Sequence, residues 1–165
     1  MNDIESLFSQ YQQKGVVVDT NILLLYFVGM TNRERIARFN RTQNFLPDDY
    51  DTLVRILSYF SRIITTPNIL TEVNSLANQL GEPERTQCFT IFAQGISVFE
   101  ECYLESKTVV TDQRFARFGL TDCGILNIAR GQHLVLTDDL KLANYLQQQG
   151  IDTINFNNIR IYGWQ

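Results

Sequence analysis

Twice in this chain a short apolar run stops at a carboxylate and gives way at once to a helix-like segment. The first is Val16-Val17-Val18, followed by Asp19-Thr20-Asn21 and then Ile22-Leu23-Leu24-Leu25. The second is Leu134-Val135-Leu136-Thr137, followed by Asp138-Asp139-Leu140. Such runs read as buried strands, and an acid at the end of each sits where an open α/β sheet presents its carboxyl edge. Between them the pattern keeps alternating. Residues 3–14 place Ile4, Leu7, Phe8 and Tyr11 on one helical face, closed by Gly15. Residues 48–62 repeat Leu53, Ile56, Leu57 and Phe60 at helical spacing, Ile63-Ile64-Thr65 reads as a short strand ended by Thr66-Pro67, and the helix carrying Glu72 runs on to Gly81.

Pro83 opens a long helix marked by Phe89, Phe92, Ile96, Phe99 and Tyr103, with Gly95 its weak point. The closing third reads as helix 122–130, strand 133–136, helix 140–149 and strand 152–156. Strand–helix alternation of this kind predicts an α/β fold: a three-layer α/β/α sandwich around a mainly parallel sheet. With 165 residues the chain is expected to form one domain, with residues 1–15 as an N-terminal helix and 157–165 as a tail.

Composition narrows the chemistry. A hydrophobic share of 44% with 19% charged residues is that of a folded chain. The longest apolar run, residues 22–30, is too short to span a bilayer, so no membrane partner is expected. Met1-Asn2-Asp3-Ile4-Glu5 lacks a basic-then-apolar signal, which makes a cytoplasmic location the expectation. Cys88, Cys102 and Cys123 form no CxxC pair, which fits reduced thiols and argues against zinc. His133 is the sole histidine, and Ser-His-Asp or Cys-His schemes would all depend on it.

Four acids stand at junctions of separate elements: Asp19, Glu72 within Ile69-Leu70-Thr71-Glu72-Val73, Asp122 within Leu120-Thr121-Asp122-Cys123-Gly124, and the Asp138-Asp139 pair. Each has an ordinary reading. Asp19 and one of the pair suit helix caps, Glu72 lies at the edge of its apolar stripe, and Asp122 suits a first turn. Yet Asp122 falls in the middle of the stripe made by Ile125, Leu126 and Ala129, and Asp19 lies between two buried runs where an unpaired carboxylate is costly. Jointly they occupy the junctions that a single site requires. The net charge is -4, from 14 basic and 18 acidic residues. Setting the four clustered acids aside leaves the rest balanced, so a nucleic-acid substrate is compatible and non-specific binding should be weak.

The ordered set Asp19-Thr20-Asn21, Glu72, Gly119-Leu120-Thr121-Asp122 and Leu136-Thr137-Asp138-Asp139 resembles the PIN domain, over nearly the whole chain. PIN domains are metal-dependent ribonucleases, and many are the toxin halves of bacterial toxin–antitoxin pairs. The resemblance implies Mg²⁺ or Mn²⁺ held by Asp19, Glu72, Asp122 and Asp139, which are also the catalytic residues. Asn21, Thr137 and Asp138 would then be supporting groups. Its implied partners are an RNA substrate, with a small antitoxin protein and a second copy of the chain as further candidates. The chain departs from the compact toxins by its N-terminal helix, an insertion around residues 33–50 and the tail.

Hard carboxylate oxygens suit Mg²⁺ or Mn²⁺, and clustered carboxylates repel one another until a cation joins them. Arg33, Arg35, Arg38 and Arg41, with Phe39 and Phe45 nearby, are candidates for gripping and stacking RNA, or else form a solvated face over core phenylalanines. Two alternatives stand beside the nuclease: a non-catalytic PIN-like scaffold, and a phosphatase of the haloacid dehalogenase type. The latter wants a second Asp where this chain has Asn21, and leaves Glu72 and Asp122 without a role.

Overall fold

The computed structural model describes residues 2–162, so the last three residues of the expected tail lie outside it. At its centre is β1 (Val16–Val18), whose three valines are fully buried. Burial of such a side chain contributes roughly 1.5–3 kcal/mol. On one side β1 pairs with β2 (Ile63–Thr65), and β2 pairs with β3 (Glu100–Glu101). On the other it pairs with β4 (Leu134–Thr137), which pairs with β5 (Thr153–Asn155). The sheet is therefore five-stranded and all parallel, in the order β3-β2-β1-β4-β5, and with the surrounding helices it makes the expected three-layer α/β/α sandwich.

The order reverses at β1. The chain leaves β1 for β2 on one side and returns from β3 to β4 on the other. Ligands in open parallel sheets lie beyond the strand carboxyl ends at such a switch point. β1 ends at Asp19 and β4 at Thr137-Asp138-Asp139, so the fold brings the two carboxylate-ended strands side by side there.

Among the described residues there are nine α-helices, seven of them in the connections between strands. α1 (Asn2–Tyr11) precedes β1, and Gly15, at φ +95, turns the chain into it; an added Cβ there would lie 2.9 Å from the Arg62 carbonyl. α2 (Thr20–Thr31), a short 3-10 helix (Arg33–Arg38) and α3 (Pro47–Leu57) lead from β1 to β2. α4 (Pro67–Ala77) and α5 (Glu84–Ile96) lead to β3. α6 (Ser106–Val109) and α7 (Phe115–Ala129) lead to β4, α8 (Leu140–Gln148) to β5, and α9 (Phe156–Tyr162) follows. One buried cluster extends from Phe8 to Ile159. No helix among the described residues is long and apolar enough to cross a membrane.

Several elements differ from the sequence expectation. The helix expected over 48–62 stops at Leu57; Phe60 keeps the apolar spacing because its ring packs edge-on against Phe8 at 5.4 Å, not because the helix continues. The helix carrying Glu72 ends at Ala77 rather than Gly81. The long helix expected to reach Tyr103 ends at Ile96. An ideal Cβ on Gly95 would sit 2.6 Å from the Phe27 ring, so this glycine admits Phe27. β3 follows, an exposed two-residue edge strand of glutamates with no apolar alternation to betray it. Most of the expected tail is α9, clamped by Arg160, whose guanidinium meets Asp49 at 2.7 Å and the Asn44 carbonyl at 2.8 Å and lies over the Phe45 ring.

Candidate active site at the sheet edge

Asp19 is the N-cap of α2, with one oxygen accepting from the Thr20 amide at 2.8 Å and the other from the Thr137 hydroxyl at 2.6 Å. At 8% exposure, its carboxyl is pushed up to about 6, first by burial, then by the charges of Asp138 and Asp139, against the lowering effect of those two hydrogen bonds. Thr137, fully buried at the end of β4, also accepts from the Asp139 amide at 3.1 Å. One hydroxyl thus ties the ends of the two central strands.

Glu72 projects from α4 onto α7. Its carboxylate accepts from the Thr20 hydroxyl at 2.9 Å and from the Thr121 hydroxyl at 2.5 Å, so it is fixed from two helices at once. Asp122 stands one residue beyond Thr121. Within α7 the backbone breaks at Gly119 (φ 82, ψ −174), so Asp122 lies in the first turn of a renewed helix, as its place after Gly119-Leu120-Thr121 suggested. None of the hydrogen bonds among the described residues uses the Asp122 carboxylate. Burial first, then the charges of Asp19, Asp139 and Glu72, push its pKa up to about 7.

The Asp138-Asp139 pair divides its work. Asp139 caps α8, one oxygen accepting from the Leu142 amide at 3.0 Å, while its charge reaches both Asp19 and Asp122. Asp138 has one oxygen 3.5 Å from the Asn21 amide and the other buried without a partner among the described residues. Burial foremost raises its pKa.

Of the four acids expected to form the site, Asp19, Glu72 and Asp139 therefore all lie within range of the charge of Asp122, at the switch point. No three His, Cys, Asp or Glu side chains among the described residues converge closely enough to hold a metal ion as they stand. Asp19 and Glu72 direct both oxygens to hydroxyl or amide hydrogens. The donor chemistry nonetheless fits a hard divalent cation: carboxylates only, one with an orphaned buried oxygen, one with no hydrogen bond, and mutual repulsion that a cation would relieve.

Of the four arginines expected to grip RNA, two have acidic partners within the chain. Arg33 is forked onto Asp51 (2.6 and 3.1 Å) and reaches Asp48 at 3.0 Å, while Arg35 lies 3.4 Å from Glu84. Arg41 donates to Gln79 at 2.9 Å and Arg38 to the Glu34 carbonyl at 3.4 Å. Phe39 and Phe45 are 2% and 4% exposed and offer no stacking surface. The segment reads as core phenylalanines under a face on which acids neutralise Arg33 and Arg35, while Arg38 and Arg41 make only neutral hydrogen bonds.

Thr20 and Thr121 were not singled out from the sequence. The signal was there: a threonine adjoins the acid in Asp19-Thr20, Thr121-Asp122 and Thr137-Asp138 alike. A cleft of about 610 Å³ opens beside Glu72 and Asp122, walled by Phe115, Phe118 and Leu120. No protein-family model matches this chain, and no curated protein matches it.

Proposed function

We propose that this protein is a PIN-type, metal-dependent endoribonuclease that hydrolyses RNA phosphodiester bonds at the edge between β1 and β4. The observation that supports this most is Asp122: a carboxyl with no hydrogen bond, held near 7 by burial and by three acids from three other elements. Structural acids are ordinarily paired or capping, and an acid cluster maintained at a switch point against its own repulsion is the arrangement a cation-dependent site needs. Asp19, Asp122 and Asp139 would hold Mg²⁺ or Mn²⁺, with Glu72 as a ligand or as the group that orients the attacking water. Bound there, such an ion would neutralise phosphate charge and acidify water near neutral pH. The chain's own part is positional. The Thr20 and Thr121 hydroxyls fix the Glu72 carboxylate, and Thr137 fixes Asp19.

Labelled single-stranded RNA incubated with Mn²⁺, Mg²⁺ or EDTA tests the reading. Cleavage is expected with either metal, none in EDTA, and loss of activity in Asp19→Asn and Asp122→Asn proteins that remain folded. Cleavage in EDTA would overturn it. One observation favours a second reading, a non-catalytic PIN-like scaffold: Asp19 and Glu72 are already satisfied within the chain, with no converged ligand set among the described residues. Absence of cleavage and of any metal-induced rise in melting temperature would select it. A cytoplasmic location, a small antitoxin partner and a homodimer rest on the sequence resemblance and expectations, and co-expression with the neighbouring gene tests the second.

A further inference from the structure

The cleft beside Glu72 and Asp122 differs in character from the acid cluster it adjoins. Phe115, Phe118 and Leu120 wall it, each half-buried or exposed, and all come from the α7 stretch around the Gly119 break. Phe118 is itself backed by a second ring: Tyr145 of α8 stacks on it at 4.8 Å between centroids and 16° between planes. Cations extend the stack. The Arg117 guanidinium lies 5.0 Å from the Phe118 centroid, and that of Arg114 lies 6.0 Å from the Tyr145 centroid.

Arg114 and Arg117 also differ from the arginines that acids hold. Arg33 and Arg35 are neutralised by carboxylates, and Arg160 is committed to Asp49. Among the described residues, neither the Arg114 nor the Arg117 guanidinium forms an ion pair, and both are exposed. Ring contact holds a guanidinium in place without spending its hydrogen-bond donors. The result is a cleft with aromatic walls, one ring of which carries Tyr145 and the Arg117 guanidinium, and two cations without acid partners, next to carboxylates that would repel a phosphate without such compensation.

We infer that the α7 stretch from Arg114 to Leu120, backed by Tyr145, is the surface that receives single-stranded RNA, an unpaired base stacking in the cleft while Arg114 and Arg117 hold flanking phosphates. The inference rests on the nuclease reading for the identity of the strand. Stacking on aromatic rings tolerates any base, because every base has a π face, and it requires the base to be unpaired. A duplex, whose bases are already stacked, has nothing to offer the cleft. The surface thus selects strand state rather than sequence.

Binding is read in EDTA, apart from any cleavage, by fluorescence polarisation of three labelled probes: a mixed-sequence single-stranded RNA, an abasic strand with the same number of phosphates, and an RNA duplex. The wild-type protein should favour the single strand over both others. Phe115→Leu with Phe118→Leu should weaken single-strand binding by about tenfold and leave abasic binding unchanged. Arg114→Gln with Arg117→Gln should weaken both single-stranded probes and flatten the salt dependence by a slope of about 0.7 per phosphate lost. Circular dichroism checks folding; should the double ring variant unfold, Phe115→Leu alone and the arginine pair carry the test. Unchanged affinities, equal losses on the abasic strand, preference for the duplex, or no RNA binding by the wild type would each overturn the proposal. Cleavage that persists with unchanged binding in these variants would overturn this surface alone and leave the nuclease reading standing.

Discussion

At the scale of single residues, the proposed chemistry turns on carboxyls that are easier to protonate in the fold than in the open chain. Asp19 is held at about 6 and Asp122 at about 7, against an ordinary 3.8. A carboxyl raised in this way stabilises the fold fully below its unfolded value and withdraws that contribution as pH rises through the folded value. In EDTA the melting temperature should therefore fall between about pH 4 and pH 7, and Asp122→Asn should flatten the decline. Mn²⁺ should raise the melting temperature more at pH 7.5 than at 5.5, because a cation takes the ionised form. A Mn²⁺ effect independent of pH would contradict this. The Asp138-Asp139 pair gives a second test. Asp139→Asn keeps a good cap for α8 but removes the charge felt by both Asp19 and Asp122, so it should impair cleavage more than Asp138→Asn with little change in stability. The opposite ranking in cleavage rates would place the orphaned Asp138 oxygen at the reacting phosphate. These acids were legible in the sequence because each adjoins an apolar run. Their hydroxyl partners Thr20 and Thr121 were less so, since a threonine beside an acid also reads as a cap.

At the scale of elements, the break in α7 matters more than any helix length. Gly119, at φ 82 and ψ −174, occupies a region nearly closed to other residues, and a Cβ there would meet no atom within 4 Å. Any cost of Gly119→Ala is thus backbone strain alone, about 1–3 kcal/mol. The variant should lower the melting temperature and, by re-aiming the turn that carries Thr121 and Asp122, lower cleavage disproportionately. Full activity in a destabilised variant would show that the turn tolerates re-aiming. The two carboxylate-ended strands and the helix bearing Glu72 could be read directly from apolar spacing. β3, α6 and α9 could not. Edge glutamates show no alternation, a four-residue helix shows no period, and α9 owes its place to contacts of its own Arg160 with Asn44, Phe45 and Asp49, more than a hundred residues away.

At the scale of the whole molecule, charge is partitioned. The densest run of arginines binds the chain to itself: Arg33 to α3, Arg35 to the start of α5. Arg33→Gln should lower the melting temperature slightly and leave RNA affinity and its salt slope unchanged; a flattened slope would return this segment to the RNA path. Spacing along the sequence could not distinguish these arginines from Arg114 and Arg117, because pairing with a distant acid is a tertiary property. The switch-point arrangement has one more implication, for the moment of synthesis. Thr137 binds Asp19 across a separation of 118 residues. As the chain leaves the ribosome, β1, β2 and β3 can all emerge before β4 exists, and at roughly 5–20 residues per second the wait lasts on the order of ten seconds. Until β4 slides in beside β1, Asp19 has no neighbouring acids from its far side and no hydroxyl to hold it. A nascent chain therefore carries only half of the acid cluster, and the Asp19 carboxyl gains its hydroxyl partner only once β4 has been made and has folded against β1.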